Sequence, residues 1–96
     1  MNEIRKTEDF INWLDSLTDL LGRARIQARI ERLKLNNAGD SKPVGEGVSE
    51  LRVDFGPGYR VYFKKIGREV IILLAGGDKR TQNKDIQRAI RLSRAL

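Results

Sequence analysis

The sequence predicts an α+β fold: a mainly antiparallel β-sheet with two N-terminal helices and a C-terminal helix. Apolar residues recur at helical spacing in the first third of the chain, alternate with polar residues from Val48 onward, and return to helical spacing after Thr81. Because the helical and strand segments are segregated along the chain, a doubly wound parallel sheet is disfavoured. The 96 residues contain no linker and no internal repeat, which predicts a single domain spanning residues 1–96.

Two helices are predicted in the first third of the chain. Thr7 is a suitable N-cap, because its hydroxyl can accept a hydrogen bond from a free backbone N–H at the start of a helix. The apolar stripe that follows continues to Leu21, and Gly22 is the predicted end of the first helix. The second helix is predicted over residues 23–36. Its buried face comprises Ile26, Ile30 and Leu33.

The segments on either side of these two helices predict an edge strand or a disordered start, a loop and a β-hairpin. Residues 2–6 carry one apolar side chain and predict either an edge strand or a disordered start, whereas residues 36–47 are rich in turn formers and predict a loop. Residues 48–64 alternate apolar and polar side chains on either side of Gly56-Pro57-Gly58, which predicts a β-hairpin. A three-residue loop there would pair Phe55 with Tyr59, Val53 with Val61, Leu51 with Phe63, Arg52 with Tyr62, Asp54 with Arg60 and Glu50 with Lys64.

A buried strand and a helix complete the predicted fold. Val70 to Ala75 is apolar at every position, as expected of a central strand that is covered on both faces. Gly76-Gly77-Asp78 is predicted to end this strand as a turn. Residues 81–96 then form an amphipathic helix. Its predicted inward residues are Ile86, Ala89 and Ile90, and its outward residues are Arg88, Arg91 and Arg94.

The positive charge of the chain is concentrated in its second half. The chain has 19 Lys and Arg residues against 13 Asp and Glu residues, a net charge of +6. Residues 1–47 are neutral overall, so the whole excess lies in residues 48–96. This asymmetry favours an anionic partner such as nucleic acid, although basic residues also serve simply to keep a small domain soluble.

Several functions are disfavoured by what the sequence lacks. There is no Cys and no His, which excludes thiolate and imidazole chemistry and the commonest zinc sites. The carboxylates of the basic half have no metal-ligand spacing and no glycine pattern matches a nucleotide-binding fingerprint, so neither a metal nor a cofactor is expected. The longest apolar run, residues 70–75, is too short to cross a bilayer, and no secretory signal is present. No membrane partner and a cytoplasmic location are therefore expected.

A cluster of cations is the candidate site. The polar face of the hairpin presents Arg52, Arg60, Tyr62 and Lys64, and the segment after the central strand adds Lys79, Arg80, Thr81 and Lys84. If sequential strands pair as neighbours, these groups converge at one end of one sheet face. Arginine binds phosphate through two parallel hydrogen bonds and lysine acts as a mobile point charge, so the cluster predicts a phosphodiester-binding site. Tyr62 is expected to face outward, where it would stack a base or position a proton.

Two segments carry a family resemblance: residues 51–63, Leu-Arg-Val-Asp-Phe-Gly-Pro-Gly-Tyr-Arg-Val-Tyr-Phe, and residues 73–82, Leu-Leu-Ala-Gly-Gly-Asp-Lys-Arg-Thr-Gln. Together they resemble the RelE/ParE toxin superfamily, and most closely its HigB-like addiction module killer proteins. The resemblance covers nearly the whole chain. It implies a RelE-like fold and a bacterial toxin of a type II toxin–antitoxin system, acting as a metal-independent endoribonuclease (mRNA interferase) that cuts mRNA on the ribosome and inhibits translation. The implied partners are ribosome-bound mRNA and a cognate antitoxin, expected to be a helix-turn-helix protein in a hetero-oligomer with the toxin.

The resemblance also implies roles for individual residues. Arg60 matches a family arginine that binds phosphate and stabilises the transition state, and Lys79 and Arg80 match the basic loop after the last strand. Some relatives use a C-terminal tyrosine or histidines for proton transfer, and residues 81–96 contain neither. The candidate bases are Lys79, Lys84 and Tyr62. The predicted catalytic residues are Arg60, Lys79, Arg80 and Tyr62, and the predicted RNA-binding residues are Arg52, Lys64, Thr81 and Lys84.

Two alternatives from other functional classes stay open. The first is a non-catalytic toxin of the gyrase-poisoning ParE branch, which acts by binding rather than by RNA chemistry. The second is a nucleic-acid-binding module without toxicity. Discrete breaks in mRNA after induced expression favour the ribonuclease, DNA damage with intact mRNA favours the gyrase poison, and unaffected growth favours the non-toxic module.

Overall fold

A five-stranded mixed sheet with helices on both faces forms the structure, a computed structural model that describes residues 1–96. The α+β fold is therefore confirmed. The strands follow the order β1-β5-β4-β3-β2 across the sheet, and only β1 and β5 are parallel. The strands are β1 (Glu3–Lys6), β2 (Ser41–Gly45), β3 (Val48–Val53), β4 (Tyr59–Ile66) and β5 (Val70–Asp78). The helices are α1 (Glu8–Ser16), α2 (Leu20–Lys34) and α3 (Gln82–Arg94), and a short 3₁₀ turn (Lys79–Thr81) joins β5 to α3. None of the helices has the length and apolar composition needed to cross a bilayer.

The boundary between the first two helices differs from the prediction. The Thr7 hydroxyl caps α1 as expected, but α1 ends at Ser16 and α2 begins at Leu20. Asp19 is the N-cap of α2 and accepts a hydrogen bond from the Gly22 N–H (2.9 Å). Gly22 therefore lies in the first turn of α2, and a Cβ added to it would lie 2.7 Å from the Tyr59 ring. The glycine permits a close tertiary contact and does not end a helix.

The two segments with weak signals both form edge strands. Residues 3–6 pair with β5, which favours the strand over a disordered start. The predicted loop over residues 36–47 is wrong in its second half, because Ser41–Gly45 pairs with β3 as β2. An exposed edge strand forms only one row of ladder hydrogen bonds and needs little apolar content, so its alternation signal is weak.

The hairpin is confirmed, but its predicted register is wrong by two residues. Leu51 pairs with Val61, and Glu50 pairs with Tyr62, so the loop between the strands comprises residues 54–58. A shift of two residues leaves every side chain on the same sheet face, and the apolar pattern therefore cannot distinguish the two registers. The predicted cross-strand pairing of Asp54 with Arg60 and of Glu50 with Lys64 is therefore wrong, and neither pair forms a salt bridge.

Both faces of the sheet are covered. Helices α1 and α2 bury a cluster on one face that includes Phe10, Ile26, Leu51 and Val61. Helix α3 buries a second cluster on the opposite face that includes Val48, Tyr62, Leu74 and Ala89. Helix α3 therefore covers part of the polar face of the hairpin, which the sequence had predicted to be exposed to solvent.

The predicted turn at Gly76-Gly77-Asp78 is instead the end of β5. An added Cβ would lie 2.1 Å from the Trp13 ring at Gly76 and 1.8 Å from the Asp85 carboxylate at Gly77. Since neighbouring strand residues face opposite sides of the sheet, one glycine admits α1 and the next admits α3. Both glycines allow close packing, and the local sequence does not distinguish this role from turn formation.

Candidate functional site

A shallow polar depression lies at the start of α3. Its volume is about 320 Å³, and it is lined by residues 79–84, none of which is hydrophobic. Lys79, Arg80 and Lys84 contribute three cations to this surface, here called the 79–84 depression. The N-cap residue Thr81 makes no side-chain hydrogen bond to the backbone N–H groups of the first turn of α3. Because these N–H groups and the helix dipole both favour negative charge, the depression is suited to an anion.

Asp78 shapes the turn that carries the depression. Its Oδ1 atom accepts a hydrogen bond from the Arg80 N–H (2.9 Å), and its Oδ2 atom accepts one from the Arg80 guanidinium (3.0 Å). The guanidinium hydrogen bond holds the pKa of Asp78 below its ordinary value. Arg80 is thus partly neutralised, whereas Lys79 and Lys84 form no ion pair. The two lysines are the free cations of the depression.

Asp85 anchors the start of α3 to the sheet. It is 5% exposed, and its carboxylate accepts a hydrogen bond from the Thr81 hydroxyl (2.5 Å) while lying against Gly77. Thr81 is therefore an internal anchor as well as a wall of the depression. The contact fixes the position of the first α3 turn relative to β5.

Arg60 adjoins the depression from the hairpin. Its Nη1 atom donates hydrogen bonds to the carbonyl oxygens of Gly58 and Tyr59, both at 3.2 Å. Arg60 Nη1 and Lys79 Cβ each lie 3.5 Å from the position of a Cβ built on Gly58, so these two atoms are no more than 7.0 Å apart. The Arg60 side chain is only 11% exposed.

A buried polar network lies behind Arg60, and sequence reasoning missed it. Glu50 is completely buried, and its Oε2 atom accepts hydrogen bonds from the Tyr62 hydroxyl (3.2 Å) and the Gln82 amide (2.7 Å). Its Oε1 atom lies 3.8 Å from Arg60 Nε, and neither of these two atoms has a hydrogen-bond partner. The apolar run at residues 70–75 could have indicated this network in advance. A strand that is buried on both faces requires a layer on each side of the sheet, and such a layer also covers the neighbouring hairpin.

Tyr62 does not face solvent as predicted. It is completely buried beneath α3, and burial, followed by the Glu50 charge, raises the pKa of its hydroxyl. The prediction that Tyr62 faces outward, where it would stack a base or position a proton, is therefore wrong. This wrong prediction and the missed network have the same cause, because the strand pattern does not reveal that α3 covers the hairpin.

Two other predicted residues lie apart from the depression. Lys64 donates a hydrogen bond to the Ser93 hydroxyl (3.0 Å), four residues from Arg60 along β4, or about 13 Å in an extended strand. Arg52 forms an ion pair with Asp40 (3.1 Å) near β2. Because Arg52 and Arg60 are direct cross-strand partners with like charges, each turns to a carboxylate of its own. The residues that the structure brings together are Arg60, Lys79, Arg80, Thr81 and Lys84.

The fold and the site define the chain as an α+β protein with a cationic depression at the start of its last helix, and no cluster of three acidic side chains is positioned to hold a metal ion. The chain is 49% identical over 94 residues to an uncharacterized protein of Haemophilus influenzae, a match that covers 98% of this chain and 95% of that protein. It belongs to the same family as that protein. No protein-family model matches the chain, and no solved structure matches it significantly.

Proposed function

We propose that this protein is the toxin of a type II toxin–antitoxin system and cleaves ribosome-bound mRNA in the cytoplasm without a metal. The observation that carries the proposal is the position of Arg60 beside Lys79 and the 79–84 depression. The resemblance of residues 51–63 and 73–82 to RelE/ParE toxins supports the same function. A cognate antitoxin, expected to be a helix-turn-helix protein, neutralises the toxin in a hetero-oligomer.

The reaction that suits these residues is attack of an RNA 2′-hydroxyl on the adjacent phosphate. A bond forms between the 2′ oxygen and phosphorus while the bond from phosphorus to the 5′ oxygen breaks, which leaves a 2′,3′-cyclic phosphate and a 5′-hydroxyl. Negative charge grows on the phosphate oxygens in the transition state. Arg60 and Lys79 offset this charge, and the free N–H groups of α3 add to the effect. The ribosome supplies the orientation of the substrate.

Proton transfer is assigned to the lysines of the depression. The 2′-hydroxyl proton needs an acceptor, and the leaving 5′ oxygen needs a donor. Tyr62 is buried, which leaves Lys79 and Lys84 as the exposed candidates. A protonated lysine donates a proton to the leaving 5′ oxygen, and solvent takes up the proton of the attacking 2′-hydroxyl.

Induced expression with transcript mapping tests the proposal. Lys79→Ala and Arg60→Lys are expected to relieve growth arrest and to abolish mRNA breaks on the ribosome, with an unchanged circular dichroism spectrum. Arg68→Ala is the matched control, since Arg68 is an exposed cation in the turn at the opposite end of β4. Unchanged cleavage in both site variants would reject the proposed role of the cluster. Cleavage is also expected to persist in EDTA.

One observation favours a non-catalytic toxin of the ParE type as the second candidate. The depression offers cations and side-chain amides, but the carboxylate nearest to Arg60 is fully buried and the sequence contains no histidine. Such a surface is suited to holding an anionic partner without cleaving it. DNA damage with intact transcripts after induction would favour this candidate over the ribonuclease.

A further inference from the structure

A second cationic cleft lies on the opposite side of the sheet from α3. It has a volume of about 320 Å³ and lies between α2 and the end of the β3–β4 hairpin. Its polar wall is formed by Arg25, Arg29 and Arg32, which follow one another at helical spacing along α2. The remaining lining residues are Ala28, Val53, Asp54 and Phe55. This surface is here called the arginine cleft.

None of the three arginines of the cleft forms a salt bridge. Arg29 donates only to backbone carbonyl oxygens, those of Arg52 (2.5 Å) and Ala38 (2.8 Å) among them, and its Nε atom is buried without a partner. Arg29 Nη2 and Arg32 Nη2 lie 3.1 Å and 3.4 Å from the position of a Cβ built on Gly39, so they are at most 6.5 Å apart. Two guanidinium groups at this distance repel each other, and a bound anion relieves the repulsion.

The apolar residues of the cleft favour an acidic peptide over a nucleic-acid strand as its ligand. Phe55 packs against the main core, and the Arg25 guanidinium covers its ring at 5.0 Å from the centroid. The Arg25 guanidinium therefore occupies a position over the ring that a stacked nucleic-acid base would take, and base stacking is a common way for proteins to hold single strands. Ala28 and Val53 instead provide an aliphatic surface between the cations. An aliphatic side chain flanked by carboxylates matches both parts of the cleft.

We infer that the arginine cleft is a docking site for an acidic segment of a partner protein, in which carboxylates pair with Arg25 and Arg32 around an aliphatic side chain. The net charge of +6 favours such a partner through long-range attraction. The cleft and the 79–84 depression lie on opposite sides of the sheet, so a partner can occupy one while the other stays accessible. The inference does not depend on the proposed ribonuclease function.

The test measures binding of a short fluorescein-labelled peptide built from Glu-Leu-Glu units to the full chain by fluorescence anisotropy. Arg25→Ala and Arg32→Ala are each expected to weaken binding about tenfold through loss of one charge-assisted pair. Arg68→Ala is expected to leave the peptide affinity unchanged. Because Arg25 and Arg32 are exposed, both variants are expected to fold. Replacement of Glu by Gln in the peptide should abolish binding.

Four results would overturn the inference: no binding of the acidic peptide, equal binding of the Gln peptide, an equal loss of affinity in Arg68→Ala, or an unchanged peptide affinity in both Arg25→Ala and Arg32→Ala. A single-stranded RNA oligonucleotide measured in parallel identifies the competing ligand. If Arg25→Ala and Arg32→Ala weaken RNA binding and leave peptide binding unaltered, the cleft is a nucleic-acid site and the acidic-segment proposal is rejected. Retained mRNA cleavage in these variants would separate this outcome from any failure of the proposed ribonuclease.

Discussion

Tyr62 donates a hydrogen bond to the carboxylate of Glu50, which is completely buried between the sheet and α3. The distance from the hydroxyl oxygen to Oε2 is 3.2 Å. Gln82, the first residue of α3, donates to the same oxygen, so the pair links the hairpin to the helix that carries the 79–84 depression. The stability of this depression therefore depends on a polar contact inside the fold.

Tyr62→Phe is expected to lower the free energy of unfolding by about 2 kcal/mol at neutral pH, because a buried carboxylate loses a donor. The pKa of Tyr62 is raised in the folded state, so its contribution is complete below the ordinary tyrosine pKa of about 10 and is lost as the pH rises further. The stability difference between wild type and Tyr62→Phe should therefore narrow above about pH 10. Urea unfolding across this range measures it. A constant difference would contradict the prediction.

Gly76→Ala and Gly77→Ala are each expected to destabilise the fold by about 2–3 kcal/mol through overpacking. The added methyl group would meet the Trp13 ring in the first variant and the Asp85 carboxylate in the second. Gly67→Ala is a suitable comparison, because no atom lies within 4 Å of its added Cβ and only its positive φ of 62° opposes the change. Thermal unfolding should rank Gly67→Ala as the most stable of the three. Equal stability would exclude close helix packing as the reason for the glycine pair.

Asp19→Asn is expected to make the free energy of unfolding less dependent on pH under acidic conditions. The carboxylate accepts hydrogen bonds from the Gly22 N–H and the Tyr59 hydroxyl, and these contacts lower the pKa of Asp19. A lowered folded-state pKa gives stability that is present above the ordinary pKa of about 4 and is lost as the pH falls below it. The variant should show a shallower loss of stability in that range. Tyr59→Phe, which removes one of the two contacts, should lie between Asp19→Asn and wild type.

The double variant Lys79→Ala/Lys84→Ala is expected to reduce the salt dependence of single-stranded RNA binding. Each phosphate contact contributes about 0.7 to the slope of log K against log salt concentration, so loss of two contacts should lower its magnitude by about 1.4. Fluorescence anisotropy over a salt series measures this slope. Lys64→Ala is the matched control, since Lys64 contacts Ser93 instead of lining the depression. An identical slope in the double variant would show that these lysines make no phosphate contacts and would contradict the proposed RNA-binding site.

The sequence predicted the elements well where one residue pattern has one structural meaning. Alternation from Val48 onward predicted the hairpin, and the spacing of Ile26, Ile30 and Leu33 predicted the buried face of α2. It failed where two structures satisfy the same pattern. A glycine serves as well for close packing as for a turn, which explains the errors at Gly22 and at the Gly76-Gly77 pair.

The residues of the candidate site also fall into two groups, those that local sequence could place and those that it could not. Lys79, Arg80, Thr81 and Lys84 are consecutive or one helical turn apart, so local sequence was enough to bring them together. The hairpin residues depended on register and on what covers the sheet. Arg60 adjoins the depression, but Tyr62 is buried and Lys64 lies at the other end of α3. Neither outcome follows from the strand pattern.

The sequence by itself determined the segregation of helices and strands, the excess of positive charge in the second half, and the basic turn before the last helix, because each is a property of neighbouring residues. Only the tertiary structure decided that α3 roofs the hairpin, that Glu50 is sealed against Tyr62, and that α2 and the hairpin enclose the arginine cleft. The physical reason is that burial and charge pairing depend on which distant segments come into contact. A strand face of mixed polarity is compatible both with solvent and with a helix that supplies hydrogen-bond partners.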